Sequence, residues 1–248
     1  MGWEALKDWG PSAQKIEPLT GGVANDVWSL RLNGEVVVGR LGRRSDADLD
    51  WETRLLVFLR GKGMTVPVPI PTTDGRLFSK GIVVMSYLEG RPPKTPEDWS
   101  RVAAELRKLH ALTRDWPQRP GWRSSADLLT ESVGTKVDLN QMPTEGVARC
   151  RAAWKRLAGR PMCVLHGDPN DRNILITPDA VGLIDWDESH VDVPEFDLVL
   201  PDNAANLPAQ AYDIAQQASA AWEAAVCWDD DYSKRRLAEV RAITPSNP

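Results

Sequence analysis

The sequence predicts a two-lobed α+β fold, with a small β-rich amino-terminal lobe over residues 1–90 and a larger, mainly helical carboxy-terminal lobe over residues 91–248. Three observations predict it. Residues 18–41 alternate short apolar runs with glycine and Asn-Gly turns, which is how antiparallel hairpins are written. Residues past Pro201 read as Ala-rich helices. Between these regions, residues 164–185 set a polar loop among three short apolar runs.

The elements follow in order. The run from Pro18 to Leu30 reads as a strand, a tight turn at Gly21-Gly22 and a second strand. Asn33-Gly34 is a strong two-residue hairpin signal, and a third strand follows over residues 35–41. Ser45-Asp46-Ala47-Asp48 has the form of a capping box. It starts a helix over 46–60, ended by Gly61 and Gly63, with Leu49, Leu55, Leu56 and Leu59 on one face and Glu52 flanking that stripe. Residues 66–71 form an extended, proline-stiffened connector. After the Asp74-Gly75 turn, residues 81–85 read as a buried strand, broken at residues 86–90. Gly90-Arg91-Pro92-Pro93 marks the boundary. Thr95 then caps a helix with Pro96 at its first position, acids in its first turn and a stripe of Trp99, Val102, Ala103, Leu106 and Leu109. His110, at its end, reads as structural. Further helices are expected over 144–158, closed by Gly159, and over 208–227 and 230–242.

Bulk properties exclude several classes. The net charge of −5 argues against non-specific nucleic-acid binding. No apolar run approaches membrane length, and no charged-then-apolar leader opens the sequence. Three dispersed cysteines, Cys150, Cys163 and Cys227, fit free thiols in a reducing, cytoplasmic compartment. The eleven tryptophans follow no period and read as core or groove aromatics. Charge is uneven. Residues 1–94 carry 13 Lys and Arg against 11 Asp and Glu, while residues 161–248 carry 5 against 16. An acidic carboxy-terminal lobe favours a cationic partner.

The chemistry concentrates in one segment. His166-Gly167-Asp168 follows an apolar run, Asn173 comes five residues after Asp168, and Asp185 ends a later strand-like run. Three oxygen-bearing side chains therefore gather at one end of a small hairpin. Phosphoryl transfer needs such a set: one carboxylate to orient a hydroxyl, and an amide with a carboxylate to hold magnesium. His166 reads as a structural hydrogen-bonding residue.

This segment resembles the catalytic region of the aminoglycoside phosphotransferase and choline kinase family, small-molecule kinases with a protein-kinase-like fold. The resemblance covers residues 18 to about 200 and is strongest from Val164 to Leu200. It implies an ATP- or GTP-dependent phosphotransferase, with Asp168 as base and Asn173 and Asp185 as Mg2+ ligands. It implies that Gly21-Gly22 forms a lid over the phosphates, and that Arg40 stands where the fold usually has a phosphate-binding lysine, with Glu52 as its partner. It also implies that Met85, Tyr87 and Leu88 meet the adenine at a hinge. Asp197 is expected to be a helix cap and, as such, to brace the catalytic loop. The acceptor is expected to be a small hydroxyl-bearing molecule. It would be aminoglycoside-like or, alternatively, choline-like or another amino alcohol. Asp187, Glu188, Asp202 and the acids at 229–231 are candidate contacts for it. Two rivals stand beside this reading: a nucleotide-binding protein without catalysis, and a metal-dependent phosphohydrolase.

Overall fold

The structure, a computed structural model, describes residues 2–19, 25–226 and 228–241. The expected glycine lid, Gly21 and Gly22, lies outside the described residues, as does Cys227. The chain divides into two compact units, Met1–Pro92 with Asp171–Ile184, and Pro93–Asn170 with Asp185–Pro248.

The first unit is built on a four-stranded antiparallel sheet in the order β1 (Gln14–Pro18), β2 (Asp26–Leu32), β3 (Glu35–Leu41) and β4 (Ile82–Ser86). Asn33 (φ 50) and Gly34 (φ 91) both take left-handed backbone at the β2–β3 turn. That pair of conformations twists with the strands, and Asn-Gly adopts it at low cost. Helix α1 (Asp46–Gly61) starts where the Ser45 side chain accepts from the Asp48 N–H. It buries Leu49, Leu55, Leu56 and Leu59, together with Trp51 and Glu52. The proline-rich connector runs beside β4, with Ile70 N–H donating to Val84 O (2.8 Å) and Ser86 N–H to Val68 O (2.9 Å).

The amino-terminal element has no counterpart in the sequence reading. A 3-10 helix, Trp3–Trp9, packs Ala5, Leu6 and Trp9 against Leu30, Leu32, Val37, Ile82 and Val84 of the sheet. The sheet thus has apolar residues to bury on this face as well. The short strands Ile174–Ile176 and Val181–Leu183 pair antiparallel and join this unit through Arg91 N–H to Ile176 O (3.1 Å) and Leu183 N–H to Thr65 O (3.0 Å). They lie far from it in sequence, and backbone pairing together with burial of Ile174, Ile176 and Leu183 draws them in.

The second unit is mainly helical. Helix α2 (Pro96–Leu112) carries a complete capping box between Thr95 and Asp98. Its stripe of Val102, Ala103, Leu106 and Leu109 is fully buried. Burying one leucine side chain contributes about 1.5–3 kcal/mol. Helix α3 (Thr144–Lys155) stops short of the expected residue 158, because the chain turns before Gly159, whose φ of 80 suits only glycine readily. Helices α4 (Ala209–Val226) and α5 (Asp231–Glu239) complete the core, in which Trp154 and Leu157 meet an alanine stripe of α4 that includes Ala218 and Ala221. The small side chains let α3 and α4 approach closely. Strands Cys163–Leu165 and His190–Asp192 pair antiparallel in this unit, and α2 packs on the first of them. No helix among the described residues is long and apolar enough to cross a membrane.

Candidate active site

In the second unit, the strand Cys163–Leu165 delivers His166, Gly167 and Asp168 into a loop held by one buried carboxylate. Asp197 accepts from the backbone N–H of His166 (2.7 Å) and of Gly167 (3.0 Å), and pairs with His110 Nε2 (2.9 Å). It follows a short 3-10 turn, Pro194–Phe196, and no helix begins at it. The expectation of a helix cap is therefore corrected: the carboxylate spends its acceptors on the loop itself. Burial works against the charged form of Asp197. The His110 hydrogen bond, the nearby charges of His110 and His166 and the Gly167 N–H outweigh it and hold this carboxyl below its ordinary range.

Gly167 is required at its position. Its φ is 88, and a Cβ there would lie 2.2 Å from the Glu188 carbonyl oxygen. Gly167→Ala is expected to cost about 1–3 kcal/mol from backbone conformation alone, with the clash added. Urea unfolding measures this, and a loss under about 1 kcal/mol would contradict the geometry. Asp168 comes next, half-buried, with Oδ2 accepting from Asn170 Nδ2 at 2.8 Å.

Asp185 is exposed and carries φ 60, an uncommon conformation for a residue with a Cβ. The segment after it is pinned. The buried Arg119 donates through Nη1 to the carbonyls of Trp186 (3.1 Å), Asp187 (3.0 Å) and Ser189 (2.7 Å). Gln118 brackets Val191 with bonds of 2.8 and 2.9 Å. Ser125 donates to the buried Asp192 through its N–H (2.5 Å) and Oγ (2.7 Å). Burial pushes the Asp192 carboxyl up, against these hydrogen bonds and His190. Sequence reasoning missed Arg119, Gln118 and Ser125, which lie in irregular chain with no period to mark them.

The acceptor candidates fall in different settings. Asp187 is half-buried, and its carbonyl is held by Arg119. The Glu188 carboxylate pairs with Lys136 Nζ at 2.6 Å. Asp202 is exposed and takes φ 51, a non-helical backbone, in the middle of the short 3-10 turn Pro201–Asn203.

In the first unit, Arg40, next to last in β3, donates to Glu52 of α1, whose carboxylate is fully buried. The other Glu52 oxygen accepts from Arg44, which also grips Asp48 with bonds of 2.8 and 3.0 Å. Two guanidiniums thus compensate one buried carboxylate, as burial of charge requires. Met85 is buried within β4, Tyr87 is exposed and Leu88 is half-buried. The buried Asn173 opens the short hairpin, and its carbonyl accepts from Ile184 N–H at 2.9 Å. Asp185 is the next residue of the chain.

Asn173 and Asp185 offer hard oxygen donors, the type magnesium takes while keeping phosphate oxygens and waters. No three His, Cys, Asp or Glu side chains among the described residues form a metal-binding group on their own.

The fold is that of small-molecule kinases of the protein-kinase-like class. A choline kinase from Streptococcus pneumoniae matches with a TM-score of 0.64, covering 96% of this chain and 95% of its own, at 17% identity. A thermostable mutant of an aminoglycoside phosphotransferase matches with a TM-score of 0.66, covering 96% and 97%, at 13% identity. Residues 15–238 match the sequence profile of the phosphotransferase enzyme family, and the chain belongs to that family. A homoserine kinase of Rhodopseudomonas palustris is 27% identical over 188 residues, 66% of this chain and 57% of that protein. A protein of Deinococcus radiodurans is 27% identical over 195 residues, 66% of this chain and 53% of its own. The chain spans little more than half the length of these two relatives.

Proposed function

We propose that this chain transfers the γ-phosphoryl group of ATP or GTP to a hydroxyl of a small, amine-bearing molecule. The observation that carries the reading is the Asp197 brace, which fixes the backbone of His166 and Gly167 immediately before Asp168. Phosphoryl transfer depends on positioning and electrostatics, so a rigidly mounted carboxylate is what the chemistry asks for. Relatives named for homoserine and structures named for choline, aminopropanol and aminoglycosides support the amine-bearing acceptor. One aminoglycoside phosphotransferase structure is a ternary complex with ADP and hygromycin B, which supports a nucleoside triphosphate as donor.

In this reading Asp168 orients the acceptor hydroxyl and takes its proton as the oxygen bonds to the γ-phosphorus and the β–γ bridging bond breaks. Asn173 and Asp185 would hold magnesium, which would supply neutralisation of the charge on the phosphates. Arg40, kept in place by Glu52, contributes a fixed guanidinium to the phosphates, and the backbone near Tyr87 and Leu88, with Met85, receives the base. Asp187 is the acceptor contact nearest the metal ligands in sequence. Buried free thiols at Cys150 and Cys163 fit a reducing, cytoplasmic compartment.

The test has two parts. ATP with magnesium at 100 times its dissociation constant adds about 2.7 kcal/mol of stability, so melting should rise with ATP or GTP and require the metal. ADP release is then screened over homoserine, choline, aminopropanol and hygromycin B. Absence of both a melting shift and ADP release would overturn the proposal.

A further inference from the structure

We infer that the Lys136–Glu188 ion pair reads the acceptor, and that the acceptor carries a carboxylate beside its amine: a hydroxyl-bearing amino acid. The inference rests on the phosphotransferase reading and names the substrate class of that site.

The placement comes first. The backbone of Glu188 lies directly against Gly167, next to Asp168, with the position a Gly167 Cβ would take only 3.0 Å from Glu188 Cβ. Arg119 fixes the carbonyls on either side, at Asp187 and Ser189. The Glu188 side chain therefore starts from an immobile point beside the proposed base. Lys136 arrives from another part of the chain. It sits in a tight turn closed by Gly134 N–H to Val137 O (2.8 Å) and docked by Thr135 N–H to Gly121 O (2.9 Å). Its Nζ reaches Glu188 Oε1 at 2.6 Å and lies 5.9 Å from the centre of the Trp122 ring.

The charges come second. An acidic half of the chain predicts a site for a bare cation, yet Glu188, the acid that lies against Gly167, is matched by a lysine. Both side chains are about one-third exposed, at 33% and 32%. A pair that open to water adds little to folding, and its partners exchange readily. A zwitterion suits the exchange. Its carboxylate goes to Lys136 and its ammonium to Glu188, so two charge-assisted contacts replace one and no charge is stranded. A purely cationic acceptor leaves Lys136 without a partner, and a purely anionic one leaves Glu188 so.

Three matched acceptors test it. Homoserine carries both charged groups, 3-aminopropan-1-ol is the same chain without the carboxylate, and 4-hydroxybutyrate is the same chain without the amine. Wild type should prefer homoserine to either by at least about tenfold in kcat/KM, since each lost contact leaves a charged group unpaired. Lys136→Met should shrink the homoserine to 3-aminopropanol ratio about tenfold, mainly through KM. Glu188→Gln should shrink the homoserine to 4-hydroxybutyrate ratio similarly. A wild type that prefers 3-aminopropanol overturns the inference, as do variants that lower all three acceptors equally, the behaviour of a structural tie. Phosphorylation of choline or hygromycin B but of none of the three sinks the inference and leaves the phosphotransferase reading standing. Failure to bind or consume nucleotide sinks both.

Discussion

Asp168→Asn will keep nucleotide-dependent stabilisation and lose turnover by about 10²–10⁴-fold, the usual worth of a positioned proton acceptor. The substitution keeps shape and hydrogen-bonding reach but removes the charge that accepts the hydroxyl proton. The loop brace does not involve this side chain, since His166 and Gly167 bond Asp197 through their backbones. Folding should therefore be unchanged, and the loss should appear in kcat. Steady-state kinetics on an identified acceptor, with melting curves in ATP and magnesium, check both halves. Near-normal turnover would remove Asp168 from its proposed role. Asp185→Asn should differ by weakening the metal-dependent stabilisation itself.

Asp197→Ala will cost about 3–5 kcal/mol, because it removes the buried anion that His110 and two backbone N–H groups share. For a chain of this size that is a fall in Tm of roughly 10 °C. Activity should fall beyond what lost stability explains, since the Asp168 backbone loses its support. The pH dependence has a definite sign. Asp197 is held below its ordinary value of 3.8, so its contribution is fully present above about pH 4 and is lost as pH falls through its lower folded value. The stability gap between wild type and Asp197→Asn should thus shrink as pH falls below about 4. Chemical denaturation at several pH values measures the gap. A gap that widens in acid would mean the carboxyl is protonated in the folded chain.

Local chemistry made much of the fold legible. Asn33-Gly34 wrote its own hairpin, Ser45 and Thr95 capped helices where their side chains could accept early N–H groups, and the leucines of α1 and α2 fell on buried faces. These signals act over a few residues, so a sequence displays them. Long-range pairing was less legible. Nothing in Trp3–Trp9 announces that it packs on the sheet, and nothing local ties Ile174–Ile176 to Arg91. The candidate site divides the same way. The spacing of Asp168, Asn173 and Asp185 is a local pattern that the sequence carries. Arg119, which holds three carbonyls across a long chain separation, is only one arginine among many. Asp197 was legible as a brace and misread as a helix cap, because a Pro-Glu-Phe-Asp run looks like a helix start while its partners lie on other elements. Lys136 was invisible for the same reason as Arg119.

The most direct test follows the γ-phosphate. The protein is incubated with ATP, magnesium and its best acceptor, and 31P NMR is recorded through the reaction. The account predicts a phosphomonoester resonance on the acceptor growing in equal amount with ADP, and its absence in Asp168→Asn. Inorganic phosphate appearing in place of the phosphomonoester, or ATP left unconsumed with every acceptor, would contradict it.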